Sequence, residues 1–355
     1  MESLHDLYVQ EDVEQIALSN EIPWDFYSNK TVLITGSTGL IGSILVFALA
    51  CRNRMFNQNI KIKALVRNLE KAKALFSEIL NSKNFEIVVA DINSNLDKVG
   101  PIDFIIHTAS MTSSKDFVER PIETIATAIY GTQNVLNLAR SQNVQGMLYL
   151  SSLEVYGVPE NKVLISEKDS GYIDCLQVRS SYSEGKRMVE CLCASYASEY
   201  NVPVKVARLS QTFGAGVDYS DNRVFAQFAR SVIEGHDIVL KTKGETLRNY
   251  CYTADAVCAL LIILAKGNVG EAYNVANDST AISIADMAKF VCENFSENKS
   301  NVVFDIAEDA MKLGYNPVVK ICLDTNKLES LGYKPKYSLM QMFDRLIKSM
   351  KLKKK

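Results

Sequence analysis

Histidine is scarce in this sequence, and cysteine pairs with metal-site spacing are missing. Three histidines are spread over 355 residues, and none of the eight cysteines forms a C-x-x-C pair. A metal centre needs a cluster of such ligands, so none is expected. Scattered thiols in a chain of this length also exclude a disulfide framework and point to a reducing, cytoplasmic compartment. Charge of one sign is missing too: 39 basic residues face 41 acidic ones, a net charge of −2. That balance gives no electrostatic footprint for nucleic acid. The basic tail Lys351–Lys355 reads as a solvated terminus. No long apolar run is present. The longest, Ala256–Ala265, is far short of the ~20 residues of a membrane helix. The acidic start (Glu2, Asp6, Glu11, Asp12, Glu14) lacks the basic-then-apolar order of a secretory signal.

What the chain does have is 47% hydrophobic residues and a regular alternation of patterns. Apolar runs at Val32–Thr35, Ile62–Val66, Phe85–Ala90, Phe104–His107, Met147–Leu150 and Val204–Arg208 read as strands. Helical patterns at Ser43–Arg52, Leu69–Leu80, Pro121–Ser141 and Ser181–Tyr200 separate them. This alternation predicts an α/β fold, a doubly wound parallel sheet of the Rossmann type with both faces covered. The expected organisation is an N-terminal helical extension over 1–29 and a cofactor-binding domain over 30–209. Later sheet strands are expected within 238–275, and a smaller, interleaved substrate-binding region over 210–237 and 276–350.

The first functional signal is Thr31-Val-Leu-Ile-Thr-Gly-Ser-Thr-Gly-Leu-Ile-Gly42. A strand enters a turn with Gly36, Gly39 and Gly42 and leaves as a helix. Such a turn lets the backbone and the helix N-terminus approach a pyrophosphate. Gly36, Ser37, Thr38, Gly39, Leu40, Ile41 and Gly42 are the expected phosphate-side contacts. The second strand ends at Arg67 rather than an acid, which leans the reading from NAD toward NADP, since arginine suits a 2′-phosphate. Asp91 and Ile92 follow the third strand and are placed for the adenine. Thr108, Ala109 and Ser110 end the fourth strand and should line the cofactor's path.

The second signal is Tyr182-Ser-Glu-Gly-Lys186. Tyrosine and lysine four apart share one helical face. A free phenol titrates near 10, so a proton acceptor at neutral pH needs nearby cations. The expectation is that Lys186 and a nicotinamide lower Tyr182 and let it take a proton while hydride leaves the same carbon. Ser152, at the end of the fifth strand, is placed to hydrogen-bond the reacting hydroxyl.

With T-G-x-x-G-x-x-G at 35–42, H-x-A-S at 107–110, S-S-x-E-V-Y-G at 151–157 and Y-x-E-G-K at 182–186, the chain resembles the extended short-chain dehydrogenase/reductase (NAD-dependent epimerase/dehydratase) family. The resemblance spans roughly residues 30–345 and is nearest to its UDP-glucuronate decarboxylases and nucleotide-sugar 4,6-dehydratases. It implies catalysis by Ser152, Tyr182 and Lys186, with acid–base work by Glu154 near C5 of a sugar. It further implies a nucleotide-diphosphate sugar held by Gln211, Arg223 and Arg248. Oxidation at C4 would then lead to decarboxylation or dehydration; 4-epimerisation or 4-keto reduction is the alternative, and a non-catalytic dinucleotide sensor a remote one. It also implies a homodimer pairing through Pro121–Ser141 and Ser181–Tyr200, the latter carrying a stripe of Met188, Leu192 and Tyr196. The chain departs from the family's usual residues at Arg67, Ala128, Leu153 and Gln211.

Overall fold

The computed structural model describes residues 6–160, 162–296, 300–306 and 318–354. In chain order the first part carries α1 (Leu7–Leu18), β1 (Thr31–Thr35), α2 (Leu40–Phe56), β2 (Lys61–Val66), α3 (Leu69–Leu75), β3 (Phe85–Val89) and β4 (Phe104–His107). It continues with α4 (Ser114–Glu119), α5 (Pro121–Ala126), α6 (Thr132–Ser141), β5 (Gly146–Ser152), β6 (Leu164–Ile165), α7 (Ser180–Tyr200), β7 (Val204–Leu209) and β8 (Gln211–Phe213). The last part holds α8 (Val224–Glu234), β9 (Ile238–Leu240), β10 (Leu247–Tyr252), α9 (Thr253–Lys266), β11 (Ala272–Val275), β12 (Asn277–Ser283) and α10 (Ile284–Phe295). It closes with β13 (Val302–Phe304), β14 (Lys320–Leu323), α11 (Asn326–Glu329) and α12 (Leu339–Lys353).

Seven strands form one sheet in the order β11-β7-β5-β4-β1-β2-β3, and every pairing in it is parallel. Strand order reverses beside β1, so the carboxyl ends of β1 and β4 flank a crevice, the usual ligand position in such sheets. A second sheet runs β12-β10-β14-β6 with β8 against β10. Within 238–275, β11 joins the large sheet and α9 packs on it, while β9 pairs with β13 and β10 belongs to the second sheet.

The apolar run Ala256–Ala265 lies in α9, whose residues are buried from Thr253 to Leu264. Hydrophobic on every side, α9 is a core helix, packed between the sheet and α1 and α2. Helix α1 buries Val9, Val13, Ile16 and Ala17, a helical i, i+4, i+7, i+8 stripe. Its N-cap Asp6 accepts hydrogen bonds from Tyr8 N (3.1 Å) and Val9 N (3.3 Å). All eight cysteines are free. Among the described residues no helix is long and apolar enough to cross a membrane.

Two helices differ from expectation. The pattern at Leu69–Leu80 is α-helical only to Leu75, and a 3₁₀ turn at Ser77–Ile79 finishes it. Pro121–Ser141 is not one α-helix: Thr127–Gly131 between α5 and α6 is π-helical. A π turn adds one residue to a turn without altering composition, so hydrophobic spacing does not disclose it. In the second half of this segment Gly131 lies against Ile92, whose Cδ1 would be 2.8 Å from an added Cβ.

Candidate active site

A cleft of about 550 Å³ opens at the carboxyl ends of β1, β2, β4 and β5. Gly36 turns the chain out of β1 with φ +65°, and a Cβ there would lie 2.7 Å from Ala109 N. A Cβ at Gly42 would collide with Gly36 O. The two glycines let the β1–α2 turn nest against β4 and leave the α2 amides facing the cleft. No acidic side chain occupies the first turn of α2, so its positive end is available to an anion. Thr38, Gly39, Leu40, Ile41 and Gly42 line the cleft as expected, as do Arg67, Asp91, Ile92, Thr108, Ala109 and Ser110. Ser37 does not: its side chain is buried and donates to Ile34 O at 2.5 Å, bracing the turn from behind. Asn68 and Lys71 join Arg67 at the outer end.

His107 fixes this wall. Ala109 N donates to Thr35 Oγ1 (3.2 Å), and the same oxygen lies 2.6 Å from His107 Nδ1. On the other side of the ring, Nε2 lies 3.0 Å from Thr132 Oγ1, so both imidazole nitrogens are engaged by threonine hydroxyls. Burial, aided by the charge of Lys186, pulls the imidazole down to about 3. His107 is therefore a neutral tie between β1, β4 and α6 rather than an acid or base.

Ser152, Glu154, Tyr182 and Lys186 meet at the inner end of the cleft, with Gln211, Arg223 and Arg248 opposite. The Tyr182 ring stacks on Phe117, with centroids 4.2 Å apart and planes at 11°, and Ser152 lines the same end of the cleft. Lys186 Nζ donates to Leu150 O at 2.7 Å and lies 5.7 Å from the Tyr182 ring centroid. Burial brings the ammonium down to about 8, partly countered by Glu190 and Cys193. The phenol moves the other way from expectation. Desolvation and the Glu154 carboxylate hold Tyr182 above its ordinary value, outweighing Ser152, Arg179 and Arg223. Lys186, engaged by a backbone carbonyl, does not lower it within the chain's own arrangement.

Glu154 follows β5 in a 3₁₀ turn, its own amide capped by Ser152 Oγ at 3.2 Å. Arg179 grips its carboxylate in a fork, at 3.0 and 3.1 Å, and Ser183 Oγ donates at 2.9 Å. Burial favours the neutral acid, but Arg179 foremost, then Arg248 and Ser183, override it and hold Glu154 below its ordinary value. Glu154 is thus an ionised group. Leu153 beside it is buried among apolar side chains of the second sheet. Arg248 is buried on β10 and its Nε has no partner among the described residues. Such a group is costly to bury unpaired, and here it borders the cleft. Arg223 is held by Asp221 through Nη2 at 2.5 Å.

The sequence reading missed Arg179, Ser183, Phe117 and Lys71. Arg179 and Ser183 were within reach. They stand three residues before and one after Tyr182 at the start of α7, so the same helical turn carries all three. Phe117 had no signal, because its contact crosses from another helix.

The model for the NAD-dependent epimerase/dehydratase family matches residues 32–276. The chain belongs to this family. It is therefore an enzyme with a nicotinamide dinucleotide as its cofactor, and the sensor alternative is set aside. Among curated proteins it is 28% identical over 310 residues to UDP-glucuronic acid decarboxylase 6 of Arabidopsis thaliana, covering 83% of this chain and 87% of that one. Among solved structures, UDP-glucose 4-epimerase of Thermotoga maritima superimposes with a TM-score of 0.76 at 20% identity, covering 92% of this chain and all of that one. The dTDP-glucose 4,6-dehydratase DesIV of Streptomyces venezuelae, with NAD and TYD bound, gives 0.75 at 19% identity over 90% of this chain and 97% of its own. These structural likenesses concern the fold. The turn at Gly36 and Gly42, the free α2 N-terminus and the adjoining cleft fit a dinucleotide.

Proposed function

We propose that this family member oxidises C4 of a nucleotide-diphosphate sugar and decarboxylates it, as a UDP-glucuronate decarboxylase does. The carrying observation is the grouping in one cleft of Ser152, Tyr182 and Lys186 with an ionised Glu154 and with Arg248, whose Nε has no partner among the described residues. A bound dinucleotide supplies the hydride acceptor and a positive charge. Ser152 and Tyr182 engage the C4 hydroxyl, and Tyr182 accepts its proton. The resulting 4-keto group lies β to a C5 carboxylate, so the C5–carboxyl bond breaks with its electron pair delocalised onto the C4 oxygen; C5 must then take up a proton, and hydride return to C4, for the cycle to close. Arg248 offers a fixed cation to an anionic substrate.

Leu153 weighs against water elimination: expelling a hydroxyl from C6 needs a proton donor beside it, and a buried leucine has none to give. Carbon dioxide itself leaves without one, and the proton that C5 then needs must come from a group other than Leu153. The same leucine favours the second reading, 4-epimerisation or 4-keto reduction, which needs no chemistry at C5. Arg67 and Lys71 at the outer end of the cleft support NADP as the preferred form of the cofactor.

A homodimer is part of this proposal. Ile122 (73% exposed), Tyr130 (63%) and Met188 (54%) leave an apolar face on α5, the π turn and α7. Of the expected stripe, Tyr196 belongs elsewhere: it is buried, and its hydroxyl donates to Asn137 Oδ1 at 2.7 Å. Light scattering at several concentrations tests the dimer, and a monomer throughout contradicts it.

The reaction is tested by mass spectrometry after incubation with a panel of nucleotide sugars that includes UDP-glucuronate. Loss of carbon dioxide is expected. Loss of water, an isomer of unchanged mass, or gain of two hydrogens with NADPH each replaces decarboxylation with another chemistry.

A further inference from the structure

Between Phe213, at the end of β8, and Arg223, at the start of α8, the chain crosses in front of the glycine turn. An added Cβ at Gly216 would touch Val9 of α1 and Leu40 of α2. Two successive amides of this crossing are held in the same manner. Gly216 N donates to Ser349 Oγ at 3.0 Å, and Ser349 Oγ donates in turn to the Asp6 carboxylate. Ala215 N donates to Tyr252 OH at 3.4 Å, and Tyr252 OH donates to Asp12 Oδ2 at 2.7 Å.

Each thread runs from amide to hydroxyl to carboxylate, and both carboxylates belong to the N-terminal helix. Arg345 of α12 locks the far side, donating to Asp12 Oδ1 (2.7 Å), Tyr8 O (2.8 Å) and Tyr252 OH (2.9 Å). Lys353 Nζ adds bonds to Gly216 O (2.9 Å) and Val217 O (3.1 Å).

We infer that the N-terminal helix is a positioning element for the substrate arm. Through Asp6 and Asp12 it orients the two hydroxyls that set residues 214–223, and thereby fixes Arg223. The inference rests on the reading above, in which Gln211, Arg223 and Arg248 hold the nucleotide-diphosphate sugar. A hydroxyl that accepts from an amide has its own proton free to rotate. A carboxylate behind it fixes that proton and makes the oxygen a better acceptor. Neither acid touches the cleft, so both act through the arm.

The test uses the full chain and four variants: Ser349→Ala, Tyr252→Phe, Asp6→Ala and Asp6→Asn. Amide hydrogen exchange of 214–223 is measured without ligand, and UDP and NAD(P) binding are measured by calorimetry. The first three variants are expected to speed exchange at Ala215 or Gly216 by about three- to tenfold, the worth of one net hydrogen bond. UDP binding should weaken by a similar factor while cofactor binding holds. Asp6→Asn retains an acceptor and should restore both.

Unchanged exchange in Ser349→Ala and Tyr252→Phe overturns the inference. So does faster exchange that spreads through the chain with loss of cofactor binding, which would mark general loosening. Faster local exchange with unaltered UDP binding overturns the substrate role of the arm. If the parent chain turns over no nucleotide sugar, the proposed function fails, and the ligand-free exchange still decides whether the helix sets the arm.

Discussion

Two regions bury a carboxylate against an arginine and shift its titration in opposite directions. At the cleft floor, Arg179 holds Glu154 with both nitrogens of its fork, Arg248 adds a second cation and Ser183 a third donor, so the acid stays below its ordinary value. In the seam between α1 and α12, Arg345 is shared between Asp12, Glu11 and Tyr252. There burial prevails and Asp12 rises to about 6. Burial by itself therefore does not set the charge of an acid. What decides is how many donors point only at it. The cleft keeps a charge where chemistry needs one, and the seam holds a carboxylate poised near neutrality where the need is to fasten helices.

The largest effect that separates the regions should come from Tyr182→Phe. It is expected to lower kcat by about 10³-fold, within the range for a lost proton-transfer group, while cofactor affinity and thermal stability hold. Substantial residual turnover would remove Tyr182 from proton transfer.

Next is Arg179→Gln, which turns the cleft acid into one resembling Asp12. Glu154 should rise, so its ionised form is lost at a higher pH as acidity increases. The acid limb of the kcat profile should move up by about one unit, worth ~1.4 kcal/mol, and Arg179→Lys should recover part of the shift. A profile that falls in height without moving would deny Arg179 this role.

The seam is probed by stability against pH. Asp12 sits above its unfolded value of 3.8 at about 6, so the folded state binds the proton more tightly. Its contribution is complete below the unfolded value and is lost as pH rises through 6, by up to ~3 kcal/mol. Glu154 has the reverse sign, its contribution being present above the unfolded carboxyl range and lost as pH falls. Urea unfolding between pH 4 and 7 should show that Asp12→Asn flattens the decline in this window; an unchanged slope would contradict the assignment.

Smallest is Ser183→Ala, which removes one donor from Glu154 and should move the acid limb by well under the Arg179→Gln shift, about half a unit. Equal shifts would mean that the guanidinium fork has no special weight.

The same contrast measures what the sequence could disclose. The β1–α2 turn was legible because its chemistry is local: strand, glycines and helix are consecutive. Tyr182 and Lys186 were legible because four residues make one helical turn. The cleft residues named from the sequence gather in one place, with Ser37 the exception because its hydroxyl finds Ile34 O behind the turn. What stayed hidden depends on distant segments. Arg345 meets Asp12 across more than three hundred residues, and no spacing rule connects them. The direction of the Tyr182 shift was hidden for a related reason. It depends on which groups desolvate the phenol and on Lys186 being drawn to Leu150 O.

The π turn at Thr127–Gly131 makes the reading frame of one helix a matter of phase. Each residue advances an α-helix by about 100°. Deleting a single codon within the turn would give one unbroken helix and wind everything before it by that angle relative to α6. Ile122 and Ile125, now outward, would swing toward the protein, and Thr127 would leave the cleft it lines. Length here is as tightly constrained as composition, and a substitution is a gentler change than a gap.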